Sequence, residues 1–220
     1  MTLLAVAHRA GNDLSALRTA VELGVDVLEA DVRARGALLE VRHSKHLRPF
    51  PVLWDSGPGG LELAHTRTPQ LQLDALLAAL EVGHPMLMLD LKGPGRVGAR
   101  VADLVHAAEP ATDVLVCSRW WPGLDAFADR PWARSVLTAR NALELARLQR
   151  RLRRGRVPYG VSLHGSLLTV PVVAELRGQV QLVMTWGVND LATLERVASL
   201  GVNAVISDDA DVLRAVVAQR

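Results

Sequence analysis

The sequence predicts an α/β fold of the TIM type, a closed (β/α)8 barrel with a β-hairpin and an irregular loop over its C-terminal mouth. Short apolar runs alternate with segments of helical spacing, and eight such pairs follow one another without a low-complexity linker. Eight βα units in 220 residues are what a closed parallel barrel requires. An open doubly wound sheet remains an alternative, because local patterns do not show closure. We expect one domain over residues 1–220.

The predicted strands are short β-type runs, and the predicted helices have apolar residues every three or four positions. The strands cover residues 3–8, 25–31, 85–92, 113–118, 133–139, 159–164, 180–186 and 203–208. The helices cover residues 14–23, 72–82, 96–108, 122–129, 141–153, 169–177, 190–199 and 209–218. Capping side chains stand just before several of these helices: Asp13, Asn141, Thr169 and Asn189.

A ninth apolar run, at residues 38–43, follows the strand that ends at Asp31 too closely for a parallel crossover, which needs about a dozen residues. We therefore predict a hairpin that turns near Gly36 and returns His43 to the mouth. Residues 44–70, rich in Pro and Gly, are predicted to form the irregular loop over the same mouth. Phe50 and Trp54 in this loop have two interpretations, contact with lipid or packing inside a lid.

Composition limits the classes of function. A hydrophobic content of 50% and a mean hydropathy of +0.18 allow a sizeable core, and a formal charge of +2 does not indicate nucleic acid. Cys117 has no disulfide partner in the chain, and residues 1–14 lack the apolar length of a signal peptide. No stretch approaches the roughly 18 to 20 apolar residues of a membrane span. We expect a cytoplasmic protein; its oligomeric state is not readable from the sequence.

The arginine-rich run at residues 147–156 has two interpretations. Cations suit the C-terminal end of a helix, where they are solvated, and the same charges could contact an anionic membrane surface. The first interpretation is favoured, so a peripheral membrane contact stays open without being required.

Carboxylates interrupt two predicted strands where apolar residues are expected. Residues two apart share a face of a strand, so Glu29 and Asp31 point together, as do Asp90 and Lys92. The alternate apolar residues face the helices, which directs the carboxylates into the barrel mouth, where sites of this fold form. Three converging carboxylates favour a hard divalent cation, Mg²⁺ or Ca²⁺. The alternative is a set of ion pairs with Arg9, Arg33 or Lys92.

Two histidines are predicted at the same mouth. His8 ends the first strand and His43 ends the returning arm of the hairpin. Histidine titrates near neutral pH, so the pair could serve as acid and base beside a metal-bound phosphate. His164, at the end of another predicted strand, is a weaker candidate.

The motifs "AHRAGND", "VLEADVRARGALLEVRH", "LMLDLK", "VMTWGVND" and "GVNAVISDDADVL" resemble, in this order, the glycerophosphodiester phosphodiesterase family. The resemblance implies a TIM-type barrel and metal-dependent cleavage of a phosphodiester. By this resemblance His8 and His43 are the acid and base. Glu29, Asp31 and Asp90 are the metal ligands, and Arg9, Lys92 and Trp186 contact the substrate.

Two positions depart from the family pattern. Gly11 stands where the family usually has a metal-ligand glutamate before an asparagine, and only Asn12 is kept. Asp90 replaces a glutamate, which makes the ligand set similar to that of the sphingomyelinase D and phospholipase D branch of the superfamily.

The expected function is therefore cleavage of glycerophosphodiesters to glycerol phosphate and an alcohol, with one divalent cation. An alternative is a phospholipase D-like reaction on lysophospholipids or sphingolipids that gives a cyclic phosphate. A third, from another class, is a barrel without catalysis that binds phosphorylated ligands. The expected partner is a small-molecule or lipid phosphodiester, and no nucleic acid is expected.

Overall fold

The computed structural model describes residues 2–47, 49–57 and 60–220. Strands in the described chain are β1 (Leu4–Ala7), β2 (Val27–Arg35), β3 (Leu38–Val41), β4 (Lys45–His46), β5 (Val52–Gly57), β6 (Gly60–His65), β7 (Leu71–Gln72), β8 (Met86–Leu91), β9 (Val114–Ser118), β10 (Ala133–Ala139), β11 (Gly160–His164), β12 (Leu182–Trp186) and β13 (Ala204–Ser207). Eight of them, all parallel, form the central sheet in the order β1-β13-β12-β11-β10-β9-β8-β2.

The sheet closes, because β1 also pairs with β2, through Val6 opposite Val27 and Ala7 opposite Leu28. The predicted (β/α)8 barrel is thus confirmed, and the alternative of an open doubly wound sheet is excluded. Closure brings the C-terminal ends of all eight strands to one mouth.

Helices follow the strands around the outside of the barrel. They are α1 (Leu14–Glu22), α2 (Leu73–Ala79), α3 (Val97–Ala107), α4 (Ala142–Arg153), α5 (Val170–Arg177), α6 (Leu191–Ser199) and α7 (Ala210–Val217). The segment predicted as a helix at 122–129 is a 3₁₀ helix, Trp121–Phe127, which packs tightly on α3 where Gly98 meets the carbonyl of Gly123. No helix in the described ranges is long and apolar enough to cross a bilayer.

Capping follows the prediction at three helices. Asp13, Asn141 and Thr169 each accept a backbone N–H at the start of α1, α4 and α5. The prediction for Asn189 was wrong, since Asp190 caps α6. The Asn189 side chain instead accepts the backbone N–H of Asp208, so it links the ends of two barrel strands.

Apolar side chains form two layers. One fills the barrel interior, with Val6, Val27 and Met88 among its buried members. The other lies between strands and helices and includes Leu28, Ala30 and Val32, the outward residues of β2. Alternation along β2 therefore sends Glu29 and Asp31 inward, as the sequence predicted.

The predicted hairpin is present. β2 extends beyond the predicted residue 31 to Arg35, turns at Gly36, which has a φ of 56°, and pairs antiparallel with β3. β7 adds to the outer edge of β3. This arrangement delivers His43, just after β3, to the mouth.

The prediction of an irregular loop at 44–70 was wrong. β4, β5 and β6 form a three-stranded antiparallel sheet, hereafter the small sheet. Pro51 and Gly60 lie before or at the start of its strands and do not interrupt them. The alternating runs at 52–55 and 61–64 could therefore pair, a non-local event that composition alone does not show.

Candidate active site

Three carboxylates meet at the barrel mouth. Glu29 and Asp31 lie on β2 and Asp90 on the adjacent β8, where Asp31 and Asp90 are direct neighbours in the parallel register. One oxygen from each of the three lies within 4.8 Å of the others. Glu29 and Asp31 are buried, and Asp90 is partly exposed. The predicted convergence of these residues is therefore present.

The turn after β1 holds the β2 carboxylates in place. The backbone N–H of Arg9 donates to Oε2 of Glu29 at 2.6 Å, and Arg9 has the left-handed φ of 57° that non-glycine residues seldom adopt. Asn12 donates to Oδ2 of Asp31 at 2.7 Å and accepts the backbone N–H of Asp31 at 2.8 Å. Asn12 thus fixes Asp31 at two points, a role that the sequence analysis did not assign to it.

Gly11 explains one departure from the family pattern. A Cβ at this position would lie 2.6 Å from the Cβ of Ala30, which faces the helix layer. The turn passes so close to β2 that only glycine fits, and a side chain here would point away from the carboxylates.

Lys92 pairs with two of the three carboxylates. Its Nζ lies 2.7 Å from Oδ1 of Asp31 and also contacts Oδ2 of Asp90. Each oxygen of Asp31 therefore has a partner, Lys92 at Oδ1 and Asn12 at Oδ2. Among the described residues, no arginine pairs with the three carboxylates. The ion-pair alternative therefore holds for Lys92 alone.

Charge in this cluster is not balanced by the protein. Burial, then the charge of Asp31, raises the pKa of Glu29 to about 8. Burial and Asp31 also raise the pKa of Asp90, whereas Lys92 outweighs burial and lowers the pKa of Asp31. With all three carboxylates ionised, the one ammonium of Lys92 leaves two negative charges, which protonation of Glu29 relieves in part and which a divalent cation would neutralise. This excess negative charge and three carboxylate oxygens within 4.8 Å of one another make the cluster fit such an ion.

Each predicted histidine is held by an aspartate. Nδ1 of His8 lies 2.8 Å from Oδ1 of Asp208, just after β13, and Nδ1 of His43 lies 2.6 Å from Oδ1 of Asp55 on β5. The second ring nitrogen, Nε2, is left for other partners. Neither aspartate was predicted as a site residue, because 200 residues separate Asp208 from His8 and Asp55 lies in the segment expected to be irregular.

The two imidazoles have opposite pKa shifts. Burial lowers the pKa of both, but at His8 the hydrogen bond to Asp208 and the charge of Glu29 outweigh burial, so its pKa is raised. At His43 burial prevails over Asp31 and Asp55, and its pKa is lowered.

A buried ionic cluster supports the backbone around His43. Glu40 on β3 is buried and pairs with Arg42, whose guanidinium also donates to the carbonyl of Ser44. Arg33 donates to the carbonyl of His43 at 3.1 Å. Carbonyls at and just after the histidine are therefore held by arginines that the sequence analysis gave no such role.

Two predicted substrate-binding residues carry unused donors. Nε of Arg9 and Nε1 of Trp186 are buried and have no hydrogen-bond partner among the described residues. Trp186 ends β12 and packs edge to face on His164, with 4.6 Å between ring centroids. His164 bonds Ser166 through Nδ1, which gives it a local structural partner.

A cleft adjoins the His43 side of the mouth. Its volume is about 760 Å³, and it is bordered by Arg9 and Asn12 from the barrel and by His43, Leu53 and Asp55 from the hairpin and small sheet. The carboxylate cluster does not border it, so the cleft leads to the site from the side of the small sheet.

The fold is a parallel barrel. Its mouth holds a carboxylate cluster, a lysine and two aspartate-bound histidines, and this combination can be compared with known proteins. No protein-family profile matches the chain, and no curated protein sequence matches it.

Solved structures match the fold over its whole length. An Oleispira antarctica phosphodiesterase in complex with the product sn-glycerol-3-phosphate has a TM-score of 0.75 at 18% identity, covering 99% of this chain and 97% of that one. The glycerophosphodiester phosphodiesterases of Agrobacterium tumefaciens (TM-score 0.71, 22% identity, 99% and 100% covered) and Thermotoga maritima (0.73, 17%, 100% and 99%) are similar as well. The chain thus has the barrel fold seen in glycerophosphodiester phosphodiesterases.

Proposed function

We propose that the chain is a metal-dependent phosphodiesterase that cleaves glycerophosphodiesters into glycerol phosphate and an alcohol. The observation that carries the proposal is the convergence of Glu29, Asp31 and Asp90 within 4.8 Å at a mouth that also holds His8 and His43. The fold shared with phosphodiesterases, one of them bound to sn-glycerol-3-phosphate, supports this substrate class.

Glu29, Asp31 and Asp90 would hold one divalent cation, Mg²⁺ or Ca²⁺, as its protein ligands. Such an ion, when bound, offsets negative charge on the phosphoryl oxygens and orients the diester. Lys92 stays beside Asp31 and Asp90, where its ammonium adds positive charge next to the phosphate. Asn12 keeps Asp31 in position through its two hydrogen bonds.

His8 and His43 divide the proton transfers. As the attacking oxygen bonds to phosphorus, one imidazole takes its proton, and the other gives a proton to the alcohol oxygen whose P–O bond breaks. Attack by water gives glycerol phosphate directly, whereas attack by a glycerol hydroxyl gives a cyclic glycerophosphate that water then opens by the same two proton transfers in reverse. Asp208 and Asp55 hold the Nδ1 sides, so that Nε2 carries the exchanged proton. Arg9 and Trp186 bring buried N–H groups without protein acceptors, which suits them to donate to the diester.

The test is turnover of a chromogenic phosphodiester and of glycerophosphocholine by the purified chain, with Mg²⁺, with Ca²⁺ and with EDTA. We expect activity that EDTA abolishes and that Asp90→Asn lowers by about 10²-fold or more. Asp103→Asn is the matched control, because Asp103 is an exposed aspartate on α3 that pairs with Arg130. Binding of phosphorylated ligands without turnover in either metal would replace this proposal with that of a non-catalytic binding barrel.

Phosphorus NMR of the products separates the two routes of cleavage. Glycerol phosphate is the expected product, whereas a cyclic phosphate from lysophosphatidylcholine would show attack by an internal hydroxyl, the phospholipase D-like reaction. Residence in the cytoplasm remains a prediction from the sequence, to be checked by fractionation of the cells that express the chain.

A further inference from the structure

Exposed apolar side chains are concentrated at one end of the barrel. Twelve large apolar residues are exposed among the described residues. Nine of them lie at the C-terminal mouth: in the small sheet and its turn, at the hairpin tip, after β9, and at the first turns of α4, α5 and α6. The other three, Val21, Val82 and Val157, lie near the C-terminal ends of helices, at the opposite end of the barrel. The uneven distribution makes the mouth the candidate interaction face.

The small sheet contributes the most exposed members of this mouth face. Leu61 and Leu63 on β6 are 69% and 64% exposed, and Phe50, in the turn before β5, is 59% exposed. Leu47, just after β4, is exposed as well. One exposed apolar side chain is ordinary, but four on the small sheet and its β4–β5 turn are unusual.

The two faces of the small sheet differ in their partners. Leu53 is buried and Asp55 contacts His43, so these two residues of β5 face the barrel. Trp54 lies between them on the other face, directly opposite Leu63 of β6 and Lys45 of β4. The outer face therefore combines an indole, an aliphatic side chain and an ammonium.

Lys45 completes an arrangement suited to a lipid interface. Its Nζ lies 4.7 Å from the ring centroid of Trp54, and both Lys45 and Arg67, which follows β6, are exposed. Indole rings sit at the level of lipid head groups, aliphatic side chains enter the acyl boundary, and nearby cations attract the phosphates. The acidic Glu62 of β6, opposite Asp55, falls on the alternate face, although the cleft reaches both Glu62 and Leu63 along this edge strand.

We propose that the mouth face docks on a phospholipid bilayer through the small sheet, so that the site receives its phosphodiester from the membrane surface. The substrate half of this inference rests on the proposed function, whereas the docking half does not. The apolar residues are spread around the mouth. A flat lipid surface can contact several of them at once.

The arginine-rich end of α4 is the competing surface. Arg150, Arg153 and Arg154 are exposed, and they lie at the end of the barrel opposite the mouth, because the helices run antiparallel to the strands. Docking through these residues would turn the mouth away from the membrane. The two orientations can be separated by substitution.

The experiment is sedimentation of the full chain with vesicles of phosphatidylcholine, alone and with a minority of phosphatidylglycerol. Phe50→Ser/Leu61→Ser should lower the partition coefficient by about tenfold or more, because two large apolar side chains no longer enter the lipid. Val82→Ser/Val157→Ser, the matched control at the other end, should leave it unchanged. Neither Phe50 nor Leu61 borders the cleft, so turnover of soluble glycerophosphocholine should be the same in all three proteins.

Other outcomes would overturn the docking proposal. They are the absence of vesicle binding, an equal loss in both double variants, a loss only in Arg150→Ala/Arg154→Ala, and a dimer in light scattering that Phe50→Ser/Leu61→Ser dissociates. Lysophosphatidylcholine embedded in vesicles should be cleaved more slowly by Phe50→Ser/Leu61→Ser than by the wild type. Failure of all turnover with intact, Phe50- and Leu61-dependent vesicle binding would refute the proposed function and leave the docking surface standing.

Discussion

The two histidines of the mouth are held in similar ways by very different parts of the molecule. His8 and Asp208 both follow strands of the barrel, β1 and β13, which are adjacent in the closed sheet. His43 and Asp55 belong to the hairpin arm and the small sheet, outside the barrel. One imidazole is thus positioned by the fold itself and the other by an insertion.

This difference makes the insertion part of the site. The small sheet contributes Asp55, which also lies 3.8 Å from the Arg9 guanidinium, and so it links the hairpin to the turn after β1. A barrel with the same eight strands but another insertion would keep His8 and the carboxylates and lose the partner of His43. Substitution of Asp55 should therefore change catalysis, whereas changes on the outer face of the small sheet should not.

The largest effect is expected from removing either imidazole. His8→Ala and His43→Ala should each lower kcat by about 10²- to 10⁴-fold, the usual contribution of a general acid or base. His106→Ala is the control, since His106 is an exposed histidine on α3. A loss of kcat in His8→Ala without one in His43→Ala would contradict a catalytic role for the histidine that the small sheet holds.

The next largest effect is expected from the aspartates. Asp208→Asn and Asp55→Asn should each lower kcat by about 10- to 100-fold, because a hydrogen bond to a charged group contributes about 1.5–3 kcal/mol. Asp55→Asn should raise KM as well, since Arg9 loses a neighbouring charge. Equal KM values in the two variants would contradict the role of the small sheet in holding Arg9.

A smaller effect is expected where the hairpin meets the small sheet. Arg35 is partly exposed, pairs with Glu40 and donates to the carbonyl of Thr66 at 2.7 Å. Arg35→Met should lower the free energy of unfolding by about 1 kcal/mol or less, because Glu40 keeps Arg42 as a partner. Chemical denaturation measures this change, and a loss of several kcal/mol would show that Arg42 alone does not satisfy Glu40.

The smallest effect is a shift in titration, visible by NMR of the imidazoles in metal-free protein. The pKa of His8 should exceed that of His43, and Asp208→Asn should lower the pKa of His8 alone. A raised folded-state pKa stabilises the protein below the unfolded value of about 6.5, and this stability is lost as pH rises through the folded value. The Tm difference between wild type and Asp208→Asn should therefore be larger at about pH 5 than at about pH 9. A difference that grew with pH would contradict the sign of the His8 shift.

The sequence was sufficient for the alternation of strands and helices and for the direction of the carboxylates, because both depend on local periodicity, whereas closure of the sheet depends on the pairing of β1 with β2. Alternation along one strand determines where Glu29, Asp31 and Asp90 point, and parallel strands end at one mouth. The small sheet and the aspartate partners depend on pairing between distant segments, as between His8 and Asp208, and no local pattern encodes it. Asn12 was visible in the sequence, but its two bonds to Asp31 depend on the path of the turn.

Gly11 limits how the carboxylate cluster could be extended. Because the turn contacts Ala30 there, the side chain of Gly11→Glu would displace the turn from β2. The new carboxylate would also point toward the helix layer and would not join the cluster. A fourth carboxylate from this turn would require a different backbone path between β1 and α1. The number of donors here therefore depends on the course of the backbone and not on the identity of one residue.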